Sequence, residues 1–101
     1  MRVIVALRPT NRHGTKGEYT SFRKLLVATG FVLVQPEVFI ATVTTRRAAQ
    51  HLIAKLRDSA PSTGAVCALM LTERQFSSID YLVGSPSYQE LNVSRVINVN
   101  L

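Results

Sequence analysis

Two segments have apolar residues at helical spacing, and short apolar runs precede and follow them. This pattern restricts the folds that a chain of 101 residues can adopt. The apolar residues between Glu18 and Gly30 recur at helical spacing, and a second helical stripe follows Thr44-Thr45, which offers an N-cap. Apolar runs at residues 3–7, 31–34, 38–43 and 65–71 predict strands. The order β-α-β-β-α-β predicts a ferredoxin-like α+β domain, with two helices on one face of an antiparallel sheet.

Residues 71–84, LTERQFSSIDYLVG, predict a capped turn between two strands. Thr72 and Gln75 have the spacing of a capping box, which would close one helical turn over residues 73–76, and residues 79–83 then predict a short strand. The first strand is continuously apolar, so we expect it to lie in the centre of the sheet with both faces covered.

The end of the chain predicts a separate element. Residues 93–101 alternate apolar and polar side chains after a polar linker, and a four-stranded sheet offers this extra strand no obvious place. It would pair either with another chain or with an edge of its own sheet. We therefore expect a core domain over residues 1–84, and a linker with a C-terminal strand over residues 85–101 that packs on a partner protomer or another protein.

The charge balance favours a nucleic-acid partner. Twelve Lys and Arg stand against six Asp and Glu, which gives a net charge of +6, and Arg outnumbers Lys nine to three. Arg binds phosphate oxygens with two parallel hydrogen bonds, so this excess favours nucleic acid over an acidic protein. The single Cys67 is expected to be a small buried hydrophobe, and with no disulfide framework, signal peptide or membrane span in the sequence we expect a cytoplasmic protein.

The sequence carries no recognisable enzyme motif, and the candidate site is cationic. His13 and His51 lie far apart and the six acids are scattered singly, which argues against a local metal site. Arg8, Arg12 and Lys16 fall within nine residues, in a loop whose glycines would allow close approach to a phosphate. We expect these three to contact nucleic acid. A second group is interpreted as the solvated face of a helix and comprises Arg46, Arg47, Lys55 and Arg57.

Several of these motifs together resemble one family. Thr72-Glu73 with Gln75-Phe76, the LVG of residues 82–84, Gly30-Phe31, Gln35 and Val38-Phe39 are similar to the CRISPR-associated protein 2 family, most closely its type II form. The resemblance implies the small, homodimeric subunit of the spacer-acquisition complex. In that complex it would bridge dimers of the CRISPR-associated protein 1 integrase beneath double-stranded protospacer DNA.

The resemblance also implies where a metal site would be. Members that cleave nucleic acid have an Asp at the end of the first strand, which is taken to hold magnesium, and Arg8 occupies that position here. A guanidinium has no lone pair to offer a cation. We therefore expect no catalytic or metal-binding residues and no cofactor, unless nuclease activity with magnesium is retained through a site rebuilt across a dimer. The alternatives are a metal-dependent endonuclease of this family or of a related toxin, and a small-ligand regulatory domain.

Overall fold

The computed structural model describes residues 1–10 and 16–84, with Lys16 described by its backbone alone. The elements in chain order are β1 (Arg2–Arg8), α1 (Lys16–Thr29), β2 (Val32–Gln35), β3 (Val38–Thr42), α2 (Arg46–Asp58), β4 (Ala65–Leu71) and α3 (Glu73–Ser77). The six elements predicted in the order β-α-β-β-α-β are confirmed to within two residues at each end. The predictions for residues 85–101, including the C-terminal strand, fall outside the described residues.

The four strands form one antiparallel sheet in the order β2-β3-β1-β4. The first strand, β1, lies between β3 and β4, with Ile4 opposite Ile40 on one side and opposite Leu69 on the other. Its predicted central position is therefore confirmed. This strand order, with a helix after β1 and another after β3, is the predicted ferredoxin-like arrangement.

One face of the sheet packs against both long helices. From α1 come Tyr19, Phe22 and Leu26, which are almost completely buried against Val5 and Phe39 of the sheet. The other helix contributes Ala48, Ala49, Leu52 and Leu56 to the same core. Burying a large apolar side chain of this kind contributes roughly 1.5–3 kcal/mol to folding. The two predicted amphipathic stripes thus form a single layer over one sheet face.

The ends of the helices match the signals in the sequence. Gly30 adopts a φ of 118°, a left-handed conformation that glycine adopts without strain, and the Phe31 N–H then donates to the Leu26 carbonyl at 2.9 Å. At the start of α2 the Thr45 hydroxyl accepts from the Ala48 N–H at 3.0 Å. These caps fix where each helix meets the sheet.

Neither of the two long helices covers the opposite face of the sheet. Ile4 and Ala6 of β1 are half-buried there, and Leu69 of the edge strand β4 is 56% exposed. The predicted burial of Cys67 is wrong: its side chain is exposed, because it lies in the edge strand opposite Ala6, on the face that the helices do not cover. The prediction that both faces of β1 are covered is correct for the helix side only.

The capped turn after β4 is confirmed. In α3 the Thr72 hydroxyl accepts from the Gln75 N–H at 3.0 Å, and the Gln75 side chain accepts from the Thr72 N–H at 2.9 Å. The short strand predicted at residues 79–83 is wrong, since this segment forms no strand and makes no ladder with the four strands described. Leu82 and Val83 are instead more than 90% exposed.

Candidate nucleic-acid interface

Arg8 is the last residue of β1 and lies at one edge of the domain. Its backbone pairs with Ala65, the first residue of β4, and its side chain is exposed. The structure shows no ion pair between Arg8 and another described residue. With respect to the described residues, the Arg8 guanidinium is therefore free to bind an anionic partner.

The backbone around Arg8 is fixed by a buried tyrosine. The Tyr19 hydroxyl donates to the carbonyl of Thr63 at 2.7 Å and lies 3.4 Å from the carbonyl of Arg8. Gly64 has a φ of 80°, and a Cβ there would lie 2.6 Å from the Arg8 carbonyl oxygen and would also collide with the Tyr19 hydroxyl. The end of β1, the first turns of α1 and the loop before β4 thus pack too closely to admit a side chain at Gly64.

The loop before β4 forms hydrogen bonds with a residue on each side of residues 11–15. The hydroxyls of Thr10 and Thr63 are 3.2 Å apart, and Glu18 accepts from the Ser62 N–H at 3.0 Å and from its hydroxyl at 2.9 Å. Thr10 precedes the cationic loop and Glu18 follows it. The sequence gives no signal for these contacts, because Thr63 is 44 positions from Tyr19 and Ser62 is 44 positions from Glu18.

The three predicted cations are only partly placed by the structure. Arg8 lies at the edge just described, and Lys16 begins α1 with its side chain outside the description. Arg12 falls within residues 11–15 and is not described either. Whether the three side chains come together is consequently left as a prediction, although the backbone of Arg8 and the start of α1 are held to a common loop.

The described residues do not fit a magnesium site at this edge. Glu37 lies beside the end of β1, since its carbonyl accepts from the Leu7 N–H at 2.9 Å, but its carboxylate is paired with Arg23 at 3.0 Å. The Glu18 carboxylate is hydrogen-bonded to Ser62. Within the described ranges no group of three His, Cys, Asp or Glu side chains could hold a metal ion, so we derive no metal-dependent step.

A second arrangement explains the sequence TERQF but was not predicted. The Arg2 Nε lies 3.0 Å from one carboxylate oxygen of Glu73 and 3.2 Å from the other, and its guanidinium carbon lies 4.4 Å from the centre of the Phe76 ring. The hydrogen bond from Arg2 holds the pKa of Glu73 below its usual value. Arg2 thus holds α3 against the start of β1. We refer to Arg2, Glu73 and Phe76 together as the Arg2 anchor.

The second cationic group of the sequence lies on α2. All four of its members, Arg46, Arg47, Lys55 and Arg57, are exposed. None forms a salt bridge with another described residue. Their predicted position on a solvated helix face is therefore confirmed. No helix in the described ranges is both long and apolar enough to span a lipid bilayer.

The fold and the exposed arginine at the end of β1 define a ferredoxin-like domain that presents a cation at the end of its central strand. Comparison with known proteins then identifies its relatives, although no sequence-family profile matches the chain. It is 35% identical over 95 residues to a CRISPR-associated endoribonuclease Cas2 of Acidovorax ebreus, covering 93% of both chains. Proteins of the same name from Lacticaseibacillus rhamnosus and Ligilactobacillus salivarius are 33% and 30% identical, with 84% and 83% of this chain covered and 85% and 84% of theirs. The chain belongs to the CRISPR-associated Cas2 family.

Proposed function

We propose that this protein is a non-catalytic, architectural member of its family, which binds the backbone of duplex DNA during CRISPR spacer acquisition. The observation that carries the proposal is Arg8, an exposed arginine at the end of β1 where the family resemblance implies an aspartate. A guanidinium there would repel a divalent cation and attract a phosphate. The relatives are named endoribonucleases, so the proposal assigns this chain a different use of the same scaffold.

Binding a duplex without reading its sequence requires phosphate contacts and no catalytic base. Such contacts position a protein on DNA through charge and hydrogen bonding to phosphate oxygens. The net charge of +6 and the excess of Arg supply the cations, and the anchored loop around Tyr19 supplies a rigid edge from which Arg8 projects. We expect Arg12 and Lys16 to act with Arg8.

The functional unit in this proposal is a homodimer. Ile4, Ala6, Cys67 and Leu69 lie on the sheet face that the helices leave open, and the exposure of Leu69 is high for a large apolar side chain in a strand. A second copy of this chain offers a complementary apolar surface of the same kind. The outer edge of β4 is also unpaired within the described residues, which would let a C-terminal strand from a partner add to the sheet.

The integrase is the proposed partner of the dimer. This part of the proposal rests on the family resemblance, which implies that two copies join two integrase dimers while the DNA lies across them. In such an assembly the exposed Leu82 and Val83 would be covered by the partner copy or by the integrase. Pull-down of purified CRISPR-associated protein 1 integrase by this protein, with and without residues 85–101, tests it.

The DNA-binding role is tested by the salt dependence of affinity. Each lost phosphate contact should reduce the slope of log K against log salt by about 0.9. We expect Arg8→Gln to lower the slope by about one unit and Arg8→Gln/Arg12→Gln/Lys16→Gln by two to three units. Lys24→Gln, which removes an exposed charge from α1, is the matched control and should leave the slope unchanged. Equal slopes for all four proteins would contradict the proposed site.

The names of the relatives make ribonuclease activity the second candidate. Purified protein is incubated with single-stranded RNA and with duplex DNA, with and without magnesium or manganese. We expect no metal-dependent cleavage. Metal-dependent cleavage that disappears in Glu18→Gln or Glu37→Gln would refute the non-catalytic role. Glu37 bonds Leu7 of β1 through its backbone, and Glu18 bonds Ser62 in the loop before β4.

A further inference from the structure

The exposed face of α2 carries more positive charge than the stability of the helix requires. Arg46 and Arg47 occupy the first turn, where the helix dipole disfavours cations, and no acidic residue stands there to compensate. Lys55 and Arg57 lie in the last turn, and Asp58 is the sole acid of the helix. Since two of the four cations oppose the helix dipole, helix stability alone does not account for this face.

The cations form two rows along the helix. Arg47, His51 and Lys55 are spaced four residues apart, which places successive side chains about 6 Å apart along the helix axis. Arg46 and Arg57 lie three turns apart on a neighbouring row, at a separation of about 17 Å. A helix side lined in this way offers cations at regular intervals along a line.

The direction of α2 connects this face to the Arg8 edge. The helix follows β3, whose Thr42 pairs with Arg2 at the start of β1, and it leads into β4, whose Ala65 pairs with Arg8 at the end of β1. The helix therefore runs from the end of the sheet at which β1 begins, near Arg2, towards the end at which β1 finishes, near Arg8. Lys55 and Arg57 lie at its end nearer to Arg8, and Arg46 and Arg47 lie at the far end.

The chemistry of the face favours phosphate over an acidic protein. Protein interfaces need apolar or aromatic side chains at their centre. The exposed residues of α2 comprise the four cations with Gln50, Ala54 and Asp58, so the largest apolar side chain among them is one methyl group. A nucleic-acid backbone needs only regularly spaced cations, and Arg supplies three of the four here.

We infer that the exposed face of α2 is a second phosphate-contact surface for duplex DNA, along which the duplex continues from the Arg8 edge. This inference rests on the proposed DNA-binding function and adds a surface to it. About 17 Å of helix corresponds to roughly five base pairs of duplex at 3.4 Å each. Arg8 alternates along β1 with the buried Val5 and Leu7, so its side chain is on the open side of the sheet, whereas α2 lies on the helix side. The duplex would therefore pass the end of the sheet between the two surfaces, and a homodimer formed through the open face leaves α2 free.

The test compares two variants that each lose two positive charges. Arg47→Gln/Lys55→Gln removes the Arg and the Lys from the row that also contains His51. Lys24→Gln/Arg74→Gln removes two exposed cations from α1 and α3. Glutamine keeps the helix propensity close to that of the original residues. Affinity for a labelled duplex of about two helical turns is measured between 50 and 200 mM salt, after circular dichroism has shown that each variant is folded.

We expect the α2 variant to lower the slope of log K against log salt by about 1.8, while the control keeps the wild-type slope. The fall in affinity between the two salt concentrations should then be about 12-fold smaller for the α2 variant than for wild type. An unchanged slope in the α2 variant, or an equal change in the control, overturns the inference. If the Arg8 variants still lower the slope, the proposed function survives that result; if wild type shows no salt-dependent binding, both fail.

Discussion

Removing the Arg2 anchor should destabilise the domain by more than a surface substitution does. In Arg2→Ala the guanidinium over Phe76, at 4.4 Å from the ring centre, is lost together with the hydrogen bonds to Glu73. Arg2 is 13% exposed, and a cation–π contact in such a setting contributes about 1 kcal/mol. Glu73 is 57% exposed, so solvent screening limits the ion pair to about 0.5–1 kcal/mol.

The expected loss is therefore roughly 1.5–2 kcal/mol, which corresponds to a fall of roughly 6–16 °C in Tm for a domain of this size. Urea and thermal denaturation at one fixed protein concentration measure it, because the proposed homodimer would make stability depend on concentration. Amide hydrogen exchange measures the local stability of α3 separately. A five-residue helix is not stable alone, so the amides of α3 should lose protection before those of the sheet.

Arg74→Ala is the matched control, because it removes an exposed arginine from α3 that forms no ion pair with a described residue. We expect it to change stability by less than about 0.5 kcal/mol. A double-mutant cycle of Arg2→Ala with Glu73→Ala isolates the pair, and its coupling energy should reach at least about 0.5 kcal/mol. The anchor is refuted if Arg2→Ala is no more destabilising than the control and the coupling energy is near zero.

Three further predictions concern the anchor and the loop before β4. Because the Arg2 hydrogen bond lowers the pKa of Glu73, the folded protein binds fewer protons there than the unfolded chain, so wild type should gain stability over Glu73→Gln as pH rises. That difference, measured by urea denaturation from pH 3 to 7, should be fully present well above the ordinary glutamate pKa of about 4.3 and vanish at low pH. Gly64→Ala should lose roughly 2–4 kcal/mol in the same assay, because a methyl group collides with the Tyr19 hydroxyl and φ is positive, whereas Ser62→Ala is the mild control. Tyr19→Phe should lose about 1–3 kcal/mol by leaving the Thr63 carbonyl without its donor, and a wild-type Tm would contradict this.

The sequence predicts those features that depend on neighbours along the chain. Thr72 and Gln75 are three residues apart, so their capping box can be recognised without a fold. Gly30 likewise ends its helix through its own backbone freedom. The strand order follows from the element order, because a ferredoxin-like chain has few other ways to cover one sheet face with two helices.

What the sequence does not predict depends on distant partners. Arg2 and Glu73 are 71 residues apart, and nothing at either position indicates the other. Residues 79–83 have the composition of a strand, but composition does not supply a neighbouring strand with free hydrogen-bonding groups. Cys67 lies within an apolar run, yet that run forms an edge strand and half of its side chains face away from the helices. In each case the missing information is position in the sheet.

The placement of β1 has a consequence for how the chain acquires its fold during synthesis. This strand is made before both of its neighbours, which are β3, about 36 residues later, and β4, which pairs Arg2 with Leu71. At a synthesis rate of 5–20 residues per second, β1 waits roughly 3–14 s for its second partner. Throughout that interval an apolar strand with an unpaired edge is exposed on the nascent chain, and few native contacts near it in sequence can protect it. The central strand of the finished sheet is thus the one whose pairing depends entirely on segments made later.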